Sequence, residues 1–278
     1  MTQAQTAPVS RAGRNLPVAI LVGLGLGGLV LGTLYTVKPA FLGVIVVAIL
    51  VGLWELVGSL QVKDVHAPFI PLAVGTCSLL VLAYTNGREA MTVAALLTAL
   101  AVVVWRLAEG AHGLLPDIAA GLMALAYVSF LAGFASLMLA PADGHRRITV
   151  FIATVVASDV GGYIFGVTLG RHLMAPRISP KKSWEGLAGS VLACGVCGAV
   201  LMSTLLHASW WKGALFGLAT VATATLGDLG ESMVKRDLGI KDMGALLPGH
   251  GGLMDRLDSL LPTAPVAWLL LVAFVPVH

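Results

Sequence analysis

The sequence predicts an all-α fold: a polytopic transmembrane helix bundle of about nine spans, N-terminus inside and C-terminus outside. Three observations lead there. Hydrophobic residues make up 58% of the 278 and charged residues only 11%, with a mean hydropathy of +0.92, far from a soluble domain's composition. Apolar runs of about twenty residues, the length that crosses a bilayer, recur along the whole chain. Finally, the 17 Lys and Arg residues fall unevenly on the joints between those runs, and such a bias sets orientation.

Taken in order, residues 1–15 form a polar N-terminal tail ending near Arg11 and Arg14. The run 16–35 reads as a retained first span, because it is too long for a signal-peptide core and lacks an A-x-A cleavage pattern. Further spans are expected at 39–60, 68–85, 88–107 and 114–140, completing an N-terminal transmembrane region over 16–140. The C-terminal region, 141–278, holds spans at 147–170, 186–206, 210–234 and 260–277. No repeat of 20–50 residues is evident, so neither a solenoid nor an inverted-repeat transporter gains support. With nine spans, twelve Lys and Arg residues share the side of the N-terminus and five lie opposite. The positively charged side is the cytoplasmic one. Net charge is only +3, and its pattern points to lipid rather than nucleic acid.

The chemistry is expected between Asp228 and Asp258. Ten of the chain's 31 formal charges lie in those 31 residues, and charge in or near a membrane is costly and usually functional. Asp228, Glu231, Ser232 and Lys235 follow i, i+3, i+4, i+7, one face of a helix. Asp255, Asp258 and Ser259 repeat the first part of that spacing. Between them PGHGG, residues 248–252, cannot be regular helix, and its glycines allow backbone N–H groups to approach an anion. Carboxylates on two helices can hold a hard divalent cation, while Lys, Arg and backbone amides hold phosphates. That combination suits phosphoryl or nucleotidyl transfer.

Other polar positions carry roles of their own. Asp159, inside an apolar run, reads as a site acid, with an interhelical hydrogen bond as the competing role. Glu55 carries the same argument without a motif behind it, and the two roles stand level. The loop from Arg171 to Lys182 has four bases and no acid, which favours anionic headgroups. Ser183 fits an N-cap and Trp184 an interfacial anchor. Gly162, Gly166 and Gly170 form a small-residue stripe that suits packing within the chain or a homodimer. Cys194 and Cys197 read as packing residues rather than a redox or metal pair.

The run from Ser232 to Asp258, S-x-x-K-R-x4-K-D-x-G-x3-P-x-H-G-G-x-x-D-R-x-D, resembles the signature of the phosphatidate cytidylyltransferases, or CDP-diacylglycerol synthases. A second block, SDVGGYIFG (158–166) followed by ISPKKSWEG (178–186), is similar to that family's other characteristic stretch. Together they cover about the last 120 residues. The resemblance implies that CTP and phosphatidic acid give CDP-diacylglycerol and pyrophosphate with Mg²⁺, a second cation being left open. It implies metal ligation by Asp228 and Asp255, with Asp159 and Asp258 as further candidates. Asp228, Asp255, Lys241 and Asp242 would serve catalysis. Lys235, Arg236 and Arg256 would hold CTP, Lys181 and Lys182 the lipid phosphate, and Ser179, Gly251 and Gly252 would join in substrate binding, while His250 stands level between a phosphate contact or acid and a residue that fixes the loop. The expected setting is the cell membrane, with the site on the cytoplasmic face. A CTP-dependent lipid-alcohol kinase and a cytidylyltransferase for an ether or isoprenoid lipid fit the same residues. A transporter would not need a cytoplasmic charge cluster with a glycine turn.

Overall fold

The computed structural model describes residues 16–175, 179–246 and 251–275. Helices dominate: α1 (Leu16–Thr36), α2 (Lys38–Leu60), α3 (Phe69–Glu109), α4 (Leu114–Ala124), α5 (Leu131–Leu139), α6 (Gly144–Leu169), α7 (Trp184–Leu205), α8 (Trp210–Leu238), α9 (Met254–Leu257) and α10 (Leu260–Phe274). A π-helical stretch, Leu125–Phe130, joins α4 to α5 into one continuous rod, Leu114–Leu139. Among the described residues seven such rods are long and apolar enough to cross a membrane, and α1 adds a shorter apolar stretch, Gly23–Thr36.

Two expected spans, 68–85 and 88–107, fall in the single run α3. Gly87 interrupts it with φ 79°, a left-handed value that glycine adopts without a Cβ penalty. Gly75 lies so close to Thr98 that a Cβ would overlap its side chain, whereas along one straight helix they would stand about 35 Å apart. The run therefore doubles back at Gly87, between the exposed residues Asn86 and Arg88.

The all-α expectation holds, apart from one short hairpin. Leu173–Ala175 (β1) and Ser179–Ser183 (β2) pair antiparallel in the loop before α7. Two short strands with a Pro and two Lys show no alternation of apolar residues, so the sequence gives no strand signal there. The chain then enters α7 through Ser183, whose Oγ accepts from the Gly186 N–H at 3.1 Å, the expected N-cap. Trp184 beside it is exposed.

Small residues bring α6, α7 and α8 together. A Cβ on Gly162 would come within 2.6 Å of Ser190 Oγ, and one on Gly161 within 2.7 Å of the Gly189 carbonyl. The Gly162–Gly166–Gly170 stripe thus packs against α7 within one chain. Gly198 and Gly213 do the same between α7 and α8, where any side chain would meet the opposite backbone. Elsewhere α2, α3 and the Leu114–Leu139 rod share a core with Leu238, Met243, Met254 and Leu261. That core ties the N-terminal helices to the segment bearing the Asp228–Asp258 charges.

Charges at the rod ends are absorbed locally. Arg147, 2% exposed, donates to Asp143 Oδ1 at 2.8 Å and to the carbonyls of Leu271 and Val275 at 3.3 and 3.0 Å. It thereby satisfies the open C-terminal end of α10. Arg106 donates to Asp117 Oδ2 at 2.7 Å, and Asp117 Oδ1 accepts from the His66 N–H at 2.6 Å. This buried junction fixes the ends of α3 and α4 against each other.

Candidate active site

Helix α8 continues through Leu238 before Gly239, at φ 74°, ends it in a left-handed C-cap. Asp228, Glu231 and Lys235 accordingly lie on successive turns of one helix. Over the described residues 239–246 and 251–253 the chain is irregular, and it then enters the single turn α9, which carries Asp255 and Arg256. The helical spacing of the sequence is realised on α8. Asp258 and Ser259 lie between α9 and α10 but keep right-handed helical backbone angles, so the second spacing is held as well.

A cavity of about 560 Å³ opens between α6, α7, α8 and the α9–α10 turn. Its charged lining is Asp159, Lys182, Asp228 and Arg256, and Ser158, Ser179, Ser190 and Ser259 add hydroxyls. The two polar sequence blocks therefore meet in space, since Asp159, Ser179 and Lys182 come from one and Asp228 and Arg256 from the other. Lys182 Nζ forms an ion pair with Asp228 Oδ2 at this wall. Asp258 turns towards its own neighbour: Oδ1 accepts from the Ser259 N–H at 2.6 Å and from Ser259 Oγ at 3.2 Å.

A second ionic centre lies around Lys235. Its ammonium reaches Asp255 Oδ1 at 2.7 Å and Glu231 Oε1 at 3.1 Å. Asp255 Oδ2 also accepts from the N–H groups of Met243 and Gly252, each at 3.0 Å. Glu231 is 2% exposed, and its Oε2 has no hydrogen-bond partner among the described residues. An unsatisfied buried carboxylate oxygen is expensive. Asp228 and Asp255, expected to share one cation, are thus each held by a separate lysine. Among the described residues no three Asp, Glu, His or Cys side chains stand together as a ready metal-holding group. Periodicity gives the face a carboxylate occupies on its own helix, but not how the next helix is rotated against it.

The remaining candidates spread over the end of α8 and the residues that follow it. Arg236, Lys241 and Asp242 are exposed, and Gly251 takes φ 82° with its Cα beside the Asp242 and Asp255 carboxylates. Lys181 contributes backbone to β2, but its side chain, like all of His250, lies outside the described residues. Sequence reasoning left out Ser59 and could not assign Glu55. Both belong to α2 and hydrogen-bond the loop, Glu55 Oε2 accepting from the Met254 N–H at 2.8 Å and Ser59 Oγ donating to the Met243 carbonyl at 2.9 Å. Only the position of an acid in an apolar run hinted at Glu55.

Fold and site together define a multi-pass membrane protein with an ionic cavity, of the kind that can bring anionic substrates together beside lipid. The chain belongs to the cytidylyltransferase family, whose model matches residues 17–274. It is similar to a phosphatidate cytidylyltransferase of Mycobacterium leprae, 44% identical over 96% of this chain and 90% of that protein. A Mycobacterium bovis protein of the same name is 40% identical over 97% of this chain and 92% of its own length. The similarity to a Synechocystis phosphatidate cytidylyltransferase is local, 46% over 130 residues, covering 45% of this chain and 43% of that protein.

Proposed function

We propose that this protein is a CTP-dependent nucleotidyltransferase that converts CTP and phosphatidate to CDP-diacylglycerol and pyrophosphate in phospholipid biosynthesis. The observation that carries the reading is the Lys182–Asp228 ion pair at the wall of a cavity to which both polar blocks contribute. Family membership and the two mycobacterial relatives, matched over nearly the whole chain, support the same reaction.

The chemistry requires a phosphate oxygen of the lipid to attack the α-phosphorus of CTP. Each pair of unit negative charges at 4 Å costs about 4 kcal/mol near a protein surface, so cationic groups must precede the reaction. Lys182 and Ser179, with Lys181, suit the lipid phosphate at the end of the cavity near β2. Arg256, Lys235, Arg236 and Lys241, with His250 and the Gly251–Gly252 amides, suit the triphosphate. The attacking phosphate is already ionised near neutral pH, so no side chain need act as general base. Asp159 and Asp228 put hard oxygen donors on the same cavity, with Asp255 and Asp258 flanking its lining residue Arg256 in the chain, and oxygen donors of this kind suit Mg²⁺. When bound, Mg²⁺ would supply Lewis-acid neutralisation of the phosphate charge, and a second cation has the unpartnered Glu231 oxygen in its favour.

The topology belongs to the same reading. The doubling back of α3, together with α1, supports nine spans, and the excess of Lys and Arg on one side supports a cytoplasmic site in the cell membrane. A homodimer would use surfaces other than Gly161 and Gly162, which already pack against α7. The deciding measurement follows CTP labelled at the α- or γ-phosphorus. Label is expected in the lipid only from the α position, with γ-label leaving as pyrophosphate. A γ-labelled lipid would make the protein a kinase.

A further inference from the structure

The matches to the family's characteristic stretches lie in the last 120 residues, yet one face of α2 reaches the loop that carries them. Gly52, Glu55 and Ser59 are spaced i, i+3, i+7 and share a side of the helix. Glu55 is 4% exposed, and it meets the Met254 N–H at 2.8 Å across 199 positions of sequence. One turn further, Ser59 Oγ meets the Met243 carbonyl at 2.9 Å. Both contacts converge on one acid. Met254 precedes Asp255 in the chain, and the Met243 N–H donates to Asp255 Oδ2 at 3.0 Å.

The glycines of the loop fit around the same carboxylate. A Cβ on Gly252 would stand 2.7 Å from Glu55 Oε2 and 2.9 Å from Asp255 Oδ2, and a Cβ on Gly244 would overlap Glu55 Oε1. Gly52 permits the approach from the other side, since a Cβ there would touch Leu257 Cδ1 at 3.1 Å. Space reserved by two loop glycines for an acid from a distant helix is a relationship between those residues, beyond the turn geometry each glycine also serves.

We infer that Glu55 is a positioning residue: with Ser59 it holds Met254 and Met243 in place and so sets the orientation of Asp255, without itself touching substrate. The inference rests on the reaction proposed above. Product formation by the purified wild-type protein, in lipid nanodiscs with CTP, Mg²⁺ and phosphatidate, tests that reaction independently. No product there would overturn the proposed function; with an active wild type, the variants decide on Glu55.

Loss of such supporting contacts typically costs 10–100-fold in activity, so Glu55→Ala is expected to lower kcat at least about tenfold. KM for CTP and for phosphatidate should stay within about threefold, as expected for a group that binds neither. Glu55→Gln, which keeps a carbonyl acceptor for the Met254 N–H, should restore most of the lost rate. Gly244→Ala should be damaging in the wild type, but should cost little more once Glu55→Ala has made room. Such non-additivity is the mark of direct contact. Should Glu55→Ala fail to accumulate folded, Glu55→Gln and Gly244→Ala carry the test alone, Gln active and Ala impaired. An unchanged kcat in Glu55→Ala or Gly244→Ala, a Glu55→Gln protein as slow as Glu55→Ala, or a loss residing in KM would each overturn the inference.

Discussion

The Lys182 ammonium is ion-paired with the Asp228 carboxylate, joining the β2 segment to α8 at the cavity wall. The two side chains are 26% and 31% exposed, so water and salt screen the pair and its structural worth is small. It is better understood as two charges stored against each other. In the proposed reaction an entering phosphate would offer Lys182 a stronger partner and leave Asp228 free for a cation.

Separate holding of the two substrates predicts separate kinetic effects. Lys182→Ala should raise KM for phosphatidate more than KM for CTP, and Lys241→Ala should do the reverse. Loss of one charge-assisted contact is worth about 1.5–3 kcal/mol, so each KM should move by roughly ten- to a hundredfold. Steady-state kinetics with each substrate varied in turn checks this, and equal shifts in both would remove the assignment of the lysines.

Asp228→Asn and Asp255→Asn should each reduce kcat by at least about tenfold, since they remove charge from the group expected to hold the cation. Folding should survive, as judged by size-exclusion profile and thermal midpoint. Titrating Mg²⁺ after chelation is the more telling measurement. If both variants keep wild-type activity at limiting Mg²⁺, the cation is held elsewhere.

Arg147 should matter to stability and not to the reaction. Arg147→Ala leaves Asp143 and two terminal carbonyls of α10 without their buried donor, at a cost of about 3 kcal/mol. A lowered thermal midpoint in detergent, with kcat per folded molecule unchanged at low temperature, is the expected result.

What could be read from the sequence, and what could not, follows from the range of each signal. The face shared by Asp228, Glu231 and Lys235, the Ser183 cap and the break near Gly87 are all local, set by residues within a few positions of one another. Meeting of the two blocks at one cavity was legible only through the resemblance. The Glu55–Met254 contact spans 199 positions, and nothing in the spacing of either residue announces the other. The separate lysine partners of Asp228 and Asp255 were hidden for a related reason, because helix rotation is settled by packing.

Orientation can be checked by single cysteines at exposed positions. Ala245→Cys should react with an impermeant maleimide only from the cytoplasmic face, and Ala142→Cys only from the opposite one. The reverse labelling would overturn the assigned direction, and labelling of both from one side would mean the span count is wrong by one.

The doubling back of α3 at Gly87 bears on how the chain enters a membrane during synthesis. Its arms, 69–86 and 88–109, are joined by a single non-helical residue, too short a link for either arm to settle alone on one side. On the nine-span reading they would enter as a pair, packed together where Gly75 meets Thr98. The tip that this reading carries across holds Arg88 next to Glu89, neighbours of opposite sign whose net charge is zero. The step with the tightest turn is thus also one in which no net charge has to be translocated.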